Sequence, residues 1–95
     1  MNSQDFTLTT SGTILVPTTE VKDLKIMSLI ISNEYDVDKE YSLLKDNEVF
    51  EKGIVKGQYS TSIFDRVYFA QEAGTELKAI GNGLTLHMVY EDLNE

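Results

Sequence analysis

The 95-residue chain has no cysteine, no tryptophan and a single proline, Pro17. Without cysteine it can form neither a disulfide framework nor a thiolate metal site. It also lacks any apolar run near the ~18–20 residues that a membrane-spanning helix needs. The first five residues are polar and lack the basic and apolar regions of a signal peptide, which predicts synthesis in a reducing cytoplasm. Stability is therefore expected to come from packing, strand pairing or association.

Basic residues are scarce as well. Eight lysine and arginine residues stand against 16 acidic ones, which gives a net charge of −8, and Arg66 is the only arginine. Binding to phosphates needs clustered positive charge, and an anionic membrane surface repels a chain of this sign. The composition therefore predicts neither nucleic acid nor a membrane as a partner. Its acidity is typical of solubility, with imitation of DNA as the alternative.

Short stretches with the period of a β-strand fill the first third of the chain. Residues 6–9 alternate apolar and hydroxylated side chains, and Thr13–Val16 follows and ends at Pro17. The most hydrophobic stretch is Leu24–Ser32, which has apolar side chains at both odd and even positions. This pattern predicts a strand that is buried on both sides or has one face packed on another subunit.

The rest of the chain continues in the same way. Residues 41–45 are predicted as a strand, Asp46 and Asn47 as a turn, and residues 59–64 and 67–69 as further strands. Residues 75–80 and 84–90, separated by Gly-Asn-Gly at 81–83, predict a hairpin. One domain over residues 1–95 follows. Its expected fold is all-β, a small antiparallel β-sandwich, jelly-roll or immunoglobulin-like, of about seven to eight short strands.

Residues that could support catalysis or metal binding do not form a recognisable set. His87 is the only histidine, and no nucleophile stands at a diagnostic spacing from it. Acidic residues alternate from Glu34 to Glu40, but the glycine and glutamate that a helical calcium loop requires are missing, so a calcium ion held by this loop stays an open alternative. The sequence predicts no catalytic residue, no metal site and no cofactor, and hence no enzyme.

The five tyrosines suggest a binding surface. Tyrosine is common both on sugar-binding faces and at protein interfaces, and the lack of tryptophan favours the interface. The edge strands expected at residues 13–16 and 59–64 are apolar or rich in hydroxyl groups, whereas exposed edges usually carry lysine or proline. At least one edge or face is therefore predicted to be covered by another subunit. The residues predicted to form a protein interface are Tyr35, Val37, Tyr59, Phe64 and Tyr68.

The order of these segments resembles a group of small β-sandwich proteins that are structural components of tailed-bacteriophage particles. The resemblance covers residues 13–91: a short strand closing on Val16-Pro17, an apolar strand from Lys25 to Asn33, and a second strand at residues 41–44. A strand after Gly74, the glycine turn at 81–83 and a last strand ending at residue 91 complete it. It is a likeness of pattern and brings no functional residue with it.

The resemblance implies a virion accessory role, either decorating or cementing a capsid or forming part of the head–tail or tail apparatus. It also implies a symmetric homo-oligomer, often a trimer, without an active site. The expected partners are the chain itself and a major capsid, tail or portal-region protein, and the expected location is the virion, after synthesis in the bacterial cytoplasm. Two alternatives stay open: an acidic DNA mimic that inhibits a host protein, and a sugar-binding attachment module.

Overall fold

The computed structural model describes residues 2–63 and 69–93, and within them every regular element is a β-strand. The all-β prediction is confirmed, with nine strands in place of seven or eight. The strands are β1 Asn2–Thr7, β2 Thr13–Val16, β3 Leu24–Ser32, β4 Lys39–Lys45, β5 Glu48–Val55, β6 Ser60–Ile63, β7 Phe69–Gln71, β8 Leu77–Gly81 and β9 Thr85–Asp92. In the described part of the chain there is no helix that could span a membrane.

Two antiparallel sheets form the sandwich. Sheet A has the order β1-β9-β3-β6, with β7 also paired to β3, and sheet B has the order β2-β8-β4-β5. Strand β6 pairs with the last part of β3 and β7 with its first part, so together they form one interrupted edge. With β6 and β7 counted as one strand, each sheet has four strands and the order is that of a jelly roll. The jelly-roll alternative is therefore the one that the chain adopts.

A β-bulge explains why β3 is apolar at both odd and even positions. The pairing of β3 with β9 shifts between Ile26 and Ser28. A bulge inserts one extra residue and changes which side chains face inward. Leu24 and Ile26 before it, and Leu29 and Ile31 after it, are all buried in the core. The strand thus has one core-facing side. Burial of both sides within the chain is therefore wrong, and the alternative, an outer side packed on another subunit, stays a prediction.

The hairpin predicted around residues 81–83 is also wrong. Strand β8 lies in sheet B and β9 in sheet A, so the Gly-Asn-Gly connection crosses between the sheets. Its backbone is held by the connection after β1, because Gly81 N–H donates to Thr9 O and Gly83 N–H to Leu8 O. Gly83 has a φ of 79°. A turn with positive φ is compatible with a hairpin or a crossing, and the sequence does not distinguish them.

The tight hairpin of the described chain lies between β4 and β5. Asp46 and Asn47 have φ values of 49° and 68°, and Lys45 pairs with Glu48. Positive φ at both central residues is the geometry of a two-residue type I′ turn. The turn predicted here is thus confirmed. The following strand, β5, runs from Glu48 through Gly53 to Val55.

The ends of the predicted strands differ from the observed ones in two places. The first strand begins at Asn2 and ends at Thr7, earlier than the predicted residues 6–9, because all six of its residues pair with β9. Part of the predicted strands 59–64 and 67–69, together with Phe64 and Tyr68 themselves, lies outside the described residues.

The core lies between the two sheets and receives side chains from both. Phe6 and Tyr90 pack against its margin. It consists of Leu8, Leu15, Val16, Leu24, Ile26, Leu29, Ile31, Tyr41, Leu43, Val55, Leu77, Ala79, Leu84, Leu86 and Met88. This core occupies the inner faces, so any binding surface has to be built from the outer faces, the sheet edges or the loops.

Candidate functional site

The strand register defines the outer face of sheet B. Residues directly opposite one another in a sheet point to the same side. Three rows of paired residues lie on the side away from the core: Glu40 with Ile54; Ile80 with Ser42 and Lys52; and Ile14 with Lys78, Leu44 and Val49. These nine residues are named the outer face of sheet B below.

Apolar side chains are concentrated on the outer face of sheet B. Ile14, Val49 and Ile54 expose 50%, 54% and 61% of their surface. Leu44 lies on the same face and is buried, although it does not belong to the core cluster between the sheets. Exposed apolar side chains gathered on one face, rather than scattered singly, mark an interaction surface.

A second bulge brings the apolar residues of β5 together. Leu43 pairs with Glu51 and Leu44 with Val49, so Phe50 is the extra residue between them. Val49 and Ile54 are an odd and an even position, which would point to opposite sides of an unbroken strand. Because of the bulge both lie on the outer face of sheet B. The sequence pattern alone therefore did not reveal this patch.

Strand β5 is also an edge. In the described part of the chain it has β4 on one side and no strand on the other. Its inner side at Gly53 is covered by Tyr41, since a β-carbon at Gly53 would lie 2.9 Å from the Tyr41 hydroxyl oxygen. The hydroxyl donates a long hydrogen bond of 3.5 Å to Glu51. Burial, and then the charge of Glu51 and this bond, raise the pKa of Tyr41.

A groove of about 710 Å³ runs beside this edge at one end of the sandwich. It combines exposed apolar side chains, Val37 and Ile54, with the carboxylates of Asp38 and Glu40. Its volume is within the range of ligand sites, but it is open to solvent, and those sites enclose most of their ligand. The groove is therefore better suited to a protein surface than to a small molecule.

The loop of residues 33–38, which forms one wall of the groove, is held by Asn33. This side chain is buried, and its Nδ2 donates to Val37 O at 2.8 Å and to Val55 O at 2.9 Å. Its Oδ1 accepts the N–H of Tyr35 at 3.0 Å. One amide thus ties the loop to itself and to β5. This positions Val37 next to the outer face of sheet B.

Three of the predicted interface residues lie in the described structure, and all three are exposed. Tyr35, Val37 and Tyr59 expose 48%, 61% and 66% of their surface and lie in loops at the same end of the sandwich. Only Val37 lines the groove. Phe64 and Tyr68 fall outside the described residues. The exposed apolar residues of the outer face, Ile14, Val49 and Ile54, were missed.

The geometry around Tyr35 bears on the sugar-binding alternative. The ammonium of Lys39 lies 4.0 Å from the centroid of its ring, a cation–π contact. A β-carbon at Gly83 would lie 2.6 Å from the Tyr35 hydroxyl, so this end of the ring is packed against the β8–β9 connection. One ring face and the hydroxyl end are therefore already occupied, which leaves only the other ring face for stacking on a sugar.

The acidic loop residues mostly serve the loop itself. Asp36 accepts from Gln58 Nε2 at 3.1 Å, and Asp38 accepts from the N–H of Gly57 at 3.1 Å. Carboxylates used in this way are not spaced along one face like the phosphates of a nucleic acid. Within residues 2–63 and 69–93, no cluster of three histidine or acidic residues could hold a metal ion.

His87 has one neighbour of chemical interest. Its Nδ1 lies 2.5 Å from Asp5 Oδ1, across the pairing of β1 with β9, and the two side chains are 43% and 82% exposed. A catalytic histidine needs a nucleophile as well as an orienting carboxylate. The pair therefore links the first strand to the last, and it offers no catalytic geometry by itself.

No protein-family model matches the sequence, and the comparisons with curated proteins and with solved structures find no match either.

Proposed function

We propose that this chain is a non-enzymatic virion structural protein, a capsid decoration or cement protein or a head–tail accessory protein. It acts by forming a homo-oligomer, which the resemblance to phage proteins suggests is a trimer, and by binding a capsid, tail or portal-region protein. The outer face of sheet B, together with Val37, is the surface through which it contacts other protein.

The observation that carries the proposal is the exposed apolar surface of sheet B. A small monomeric domain is stabilised by burying its apolar side chains, and the core of a chain of this size is small. It nevertheless leaves Ile14, Val49 and Ile54 at least half exposed on one face. Covering this face with another protein removes apolar surface from water and supplies the favourable free energy of association.

The fold is compatible with this role but does not distinguish it from other roles. Jelly rolls occur in viral capsid proteins and also in lectins, so the architecture alone leaves both possibilities. The contacts of Tyr35 with Lys39 and with the β8–β9 connection weigh against the lectin. The resemblance of residues 13–91 to phage structural proteins adds support from the sequence.

The direct test is to look for the chain in purified virus particles. Particles from a bacterial culture that produces this protein are purified by density gradient, and their proteins are quantified by mass spectrometry. The proposal expects the chain at a fixed ratio to the major capsid or tail protein. Detection of the chain only in the infected-cell extract, with none in the particles, would contradict the proposed virion role.

Variants of the exposed residues test which surface is used. Val49→Lys places a charge on the outer face of sheet B, whereas Val21→Lys changes an apolar residue that is 84% exposed in the connection between β2 and β3. Occupancy on particles is expected to fall at least about tenfold for Val49→Lys, since a buried unpaired charge opposes binding, and to stay unchanged for Val21→Lys. Equal occupancy of both variants would assign binding to another surface.

A further inference from the structure

Strand β5 is the longest edge strand of the described structure, and the part of it that is free of the bulge is residues 51–55. Its eight residues compare with six in β1 and four in β2, and β6 and β7 have four and three. Strand β2 also ends next to Pro17, which limits pairing. An unprotected edge presents backbone N–H and C=O groups that can pair with another strand.

The alternation of side chains restricts how β5 could pair with β5 of a second copy. In residues 51–55, Lys52 and Ile54 belong to the outer face and Val55 to the core. Two strands that continue one sheet must place outward residues opposite outward residues. In an antiparallel pair related by a two-fold axis, one residue faces its own copy. Every allowed register therefore has a single residue of this segment on the axis.

Charge selects among these registers. With Lys52 on the axis, two lysines face each other, and with Glu51 on the axis, two glutamates do. With Ile54 on the axis, Lys52 faces Lys56 of the second copy. Like charges directly opposite one another are unfavourable in a sheet. With Val55 on the axis no like charges meet, but Gly53 and Lys52 would lie opposite Gly57 and Gln58 of the second copy, which form a turn beyond the end of β5. The register with Gly53 on the axis avoids all three like-charge pairs, lets residues 51–55 of both copies pair, and places Lys52 opposite Ile54 of the second copy.

We propose that two copies of this chain join through β5 in this register, so that sheet B continues across a two-fold axis at Gly53 as one eight-stranded sheet. The inference rests on the self-assembly in the proposed function and specifies its contact. The aliphatic stem of Lys52 then covers the exposed Ile54 of the second copy. Its ammonium points to Glu40 of that copy, because Glu40 is the cross-strand neighbour of Ile54.

The unpaired state of the two charges supports this contact. Lys52 and Glu40 are both exposed, and in the described residues neither has an ion-pair partner. The two-fold axis produces two equivalent Lys52–Glu40 pairs, one from each copy to the other, so the contact is self-complementary. If other surfaces form a trimer, this contact joins two trimers; otherwise it forms a dimer. In both cases the number of copies is even.

The experiment measures the molar mass of the purified full chain by sedimentation equilibrium, from low micromolar to about 1 mM. An even-numbered oligomer is expected. Lys52→Glu and Glu40→Lys should each weaken association at least about tenfold, because each change makes two repulsive pairs. The double variant Lys52→Glu/Glu40→Lys should recover association to within about threefold, since it restores both opposite-charge pairs.

Matched controls keep the outcome specific. Glu72→Lys makes the same change of charge as Glu40→Lys in the β7–β8 connection, and Lys22→Glu reverses a lysine of the β2–β3 connection at the loss of its ion pair with Asp92. Both should leave association unchanged. Circular dichroism checks that each variant is folded. A monomer or a trimer at every concentration, or unchanged association of Lys52→Glu, would overturn the inference. If the chain is present in particles but monomeric in solution, only this contact is wrong and the virion role stands.

Discussion

At the scale of single residues, Asn33 shows how one side chain determines the position of a loop. It is 2% exposed, and its amide makes three hydrogen bonds to backbone groups of Tyr35, Val37 and Val55. Its own N–H donates to Tyr59 O. The sequence places Asn33 between an apolar strand and an acidic loop, but a buried asparagine and an exposed one look the same in a sequence.

Replacing Asn33 should therefore be costly. Asn33→Ala leaves buried backbone groups without a partner, and the free energy of unfolding is expected to fall by about 2–3 kcal/mol. Asn82→Ala, at an exposed asparagine in the β8–β9 connection, should change it by less than about 0.5 kcal/mol. Urea unfolding followed by circular dichroism measures both. Similar values for the two variants would contradict the anchoring role of Asn33.

Tyr41 gives a prediction about alkaline pH. Burial, and then Glu51, raise the pKa of its phenol above 10.0 in the folded protein, so the unfolded chain loses this proton first. Below the unfolded pKa both states keep the proton and the stability is unaffected. As the pH rises above about 10, the unfolded state gains relative stability and the free energy of unfolding falls.

The comparison of native protein with Tyr41→Phe isolates this effect. Unfolding in urea is measured at pH 8 and again at about pH 10.5, where tyrosine in an unfolded chain is largely ionised. The native chain should lose more stability between the two pH values than the variant does. An equal loss would show that other groups cause the alkaline destabilisation.

At the scale of strands, the two bulges decide which side chains are buried. Strict alternation in β3 would place Ile30 on the same side as Leu24 and Ile26, and Leu29 on the other side. The shift after Ile26 reverses this, so that Leu29 is fully buried and Ile30 lies half-buried on the outer side of sheet A.

Alanine substitutions test this reversal. Leu29→Ala should lower the free energy of unfolding by about 3 kcal/mol, because it leaves a cavity between the sheets. Ile30→Ala should lower it by about 1 kcal/mol, since only part of its side chain is withdrawn from water. The two variants are compared by urea unfolding at one pH. A larger loss for Ile30→Ala would place the bulge elsewhere.

The positions of the strands along the chain were more predictable than the pairing of one strand with another. Leu24–Ser32 was delimited from the sequence as it occurs in the structure, because β-branched and leucine residues between polar turns determine a strand locally. The Gly-Asn-Gly crossing was mistaken for a hairpin, since local turn chemistry does not say which sheet a strand joins. The patch of Val49 and Ile54 depended on a bulge that only pairing with β4 reveals.

At the scale of the whole molecule, long-range pairing dominates. The first strand pairs with the last, Asn2 with Tyr90 and Thr7 with Thr85, and β2 pairs with β8. Such contacts close long loops before they contribute stability, so folding is expected to be slow, in milliseconds to seconds. Stopped-flow tyrosine fluorescence is suitable, as the chain has no tryptophan. Refolding within microseconds would contradict a transition state that requires these pairings.

The bulge at Phe50 also bears on how far assembly can grow. A long, flat edge can accept a new strand on every copy, and repeated addition of this kind ends in fibres. The extra residue interrupts the regular ladder of β5 and leaves residues 51–55 as its regular part. One edge accepts one partner strand, and a two-fold contact uses the same edge of both copies. Each contact of this kind would therefore close on two copies and could not propagate strand by strand, unlike the stacking of strands in amyloid.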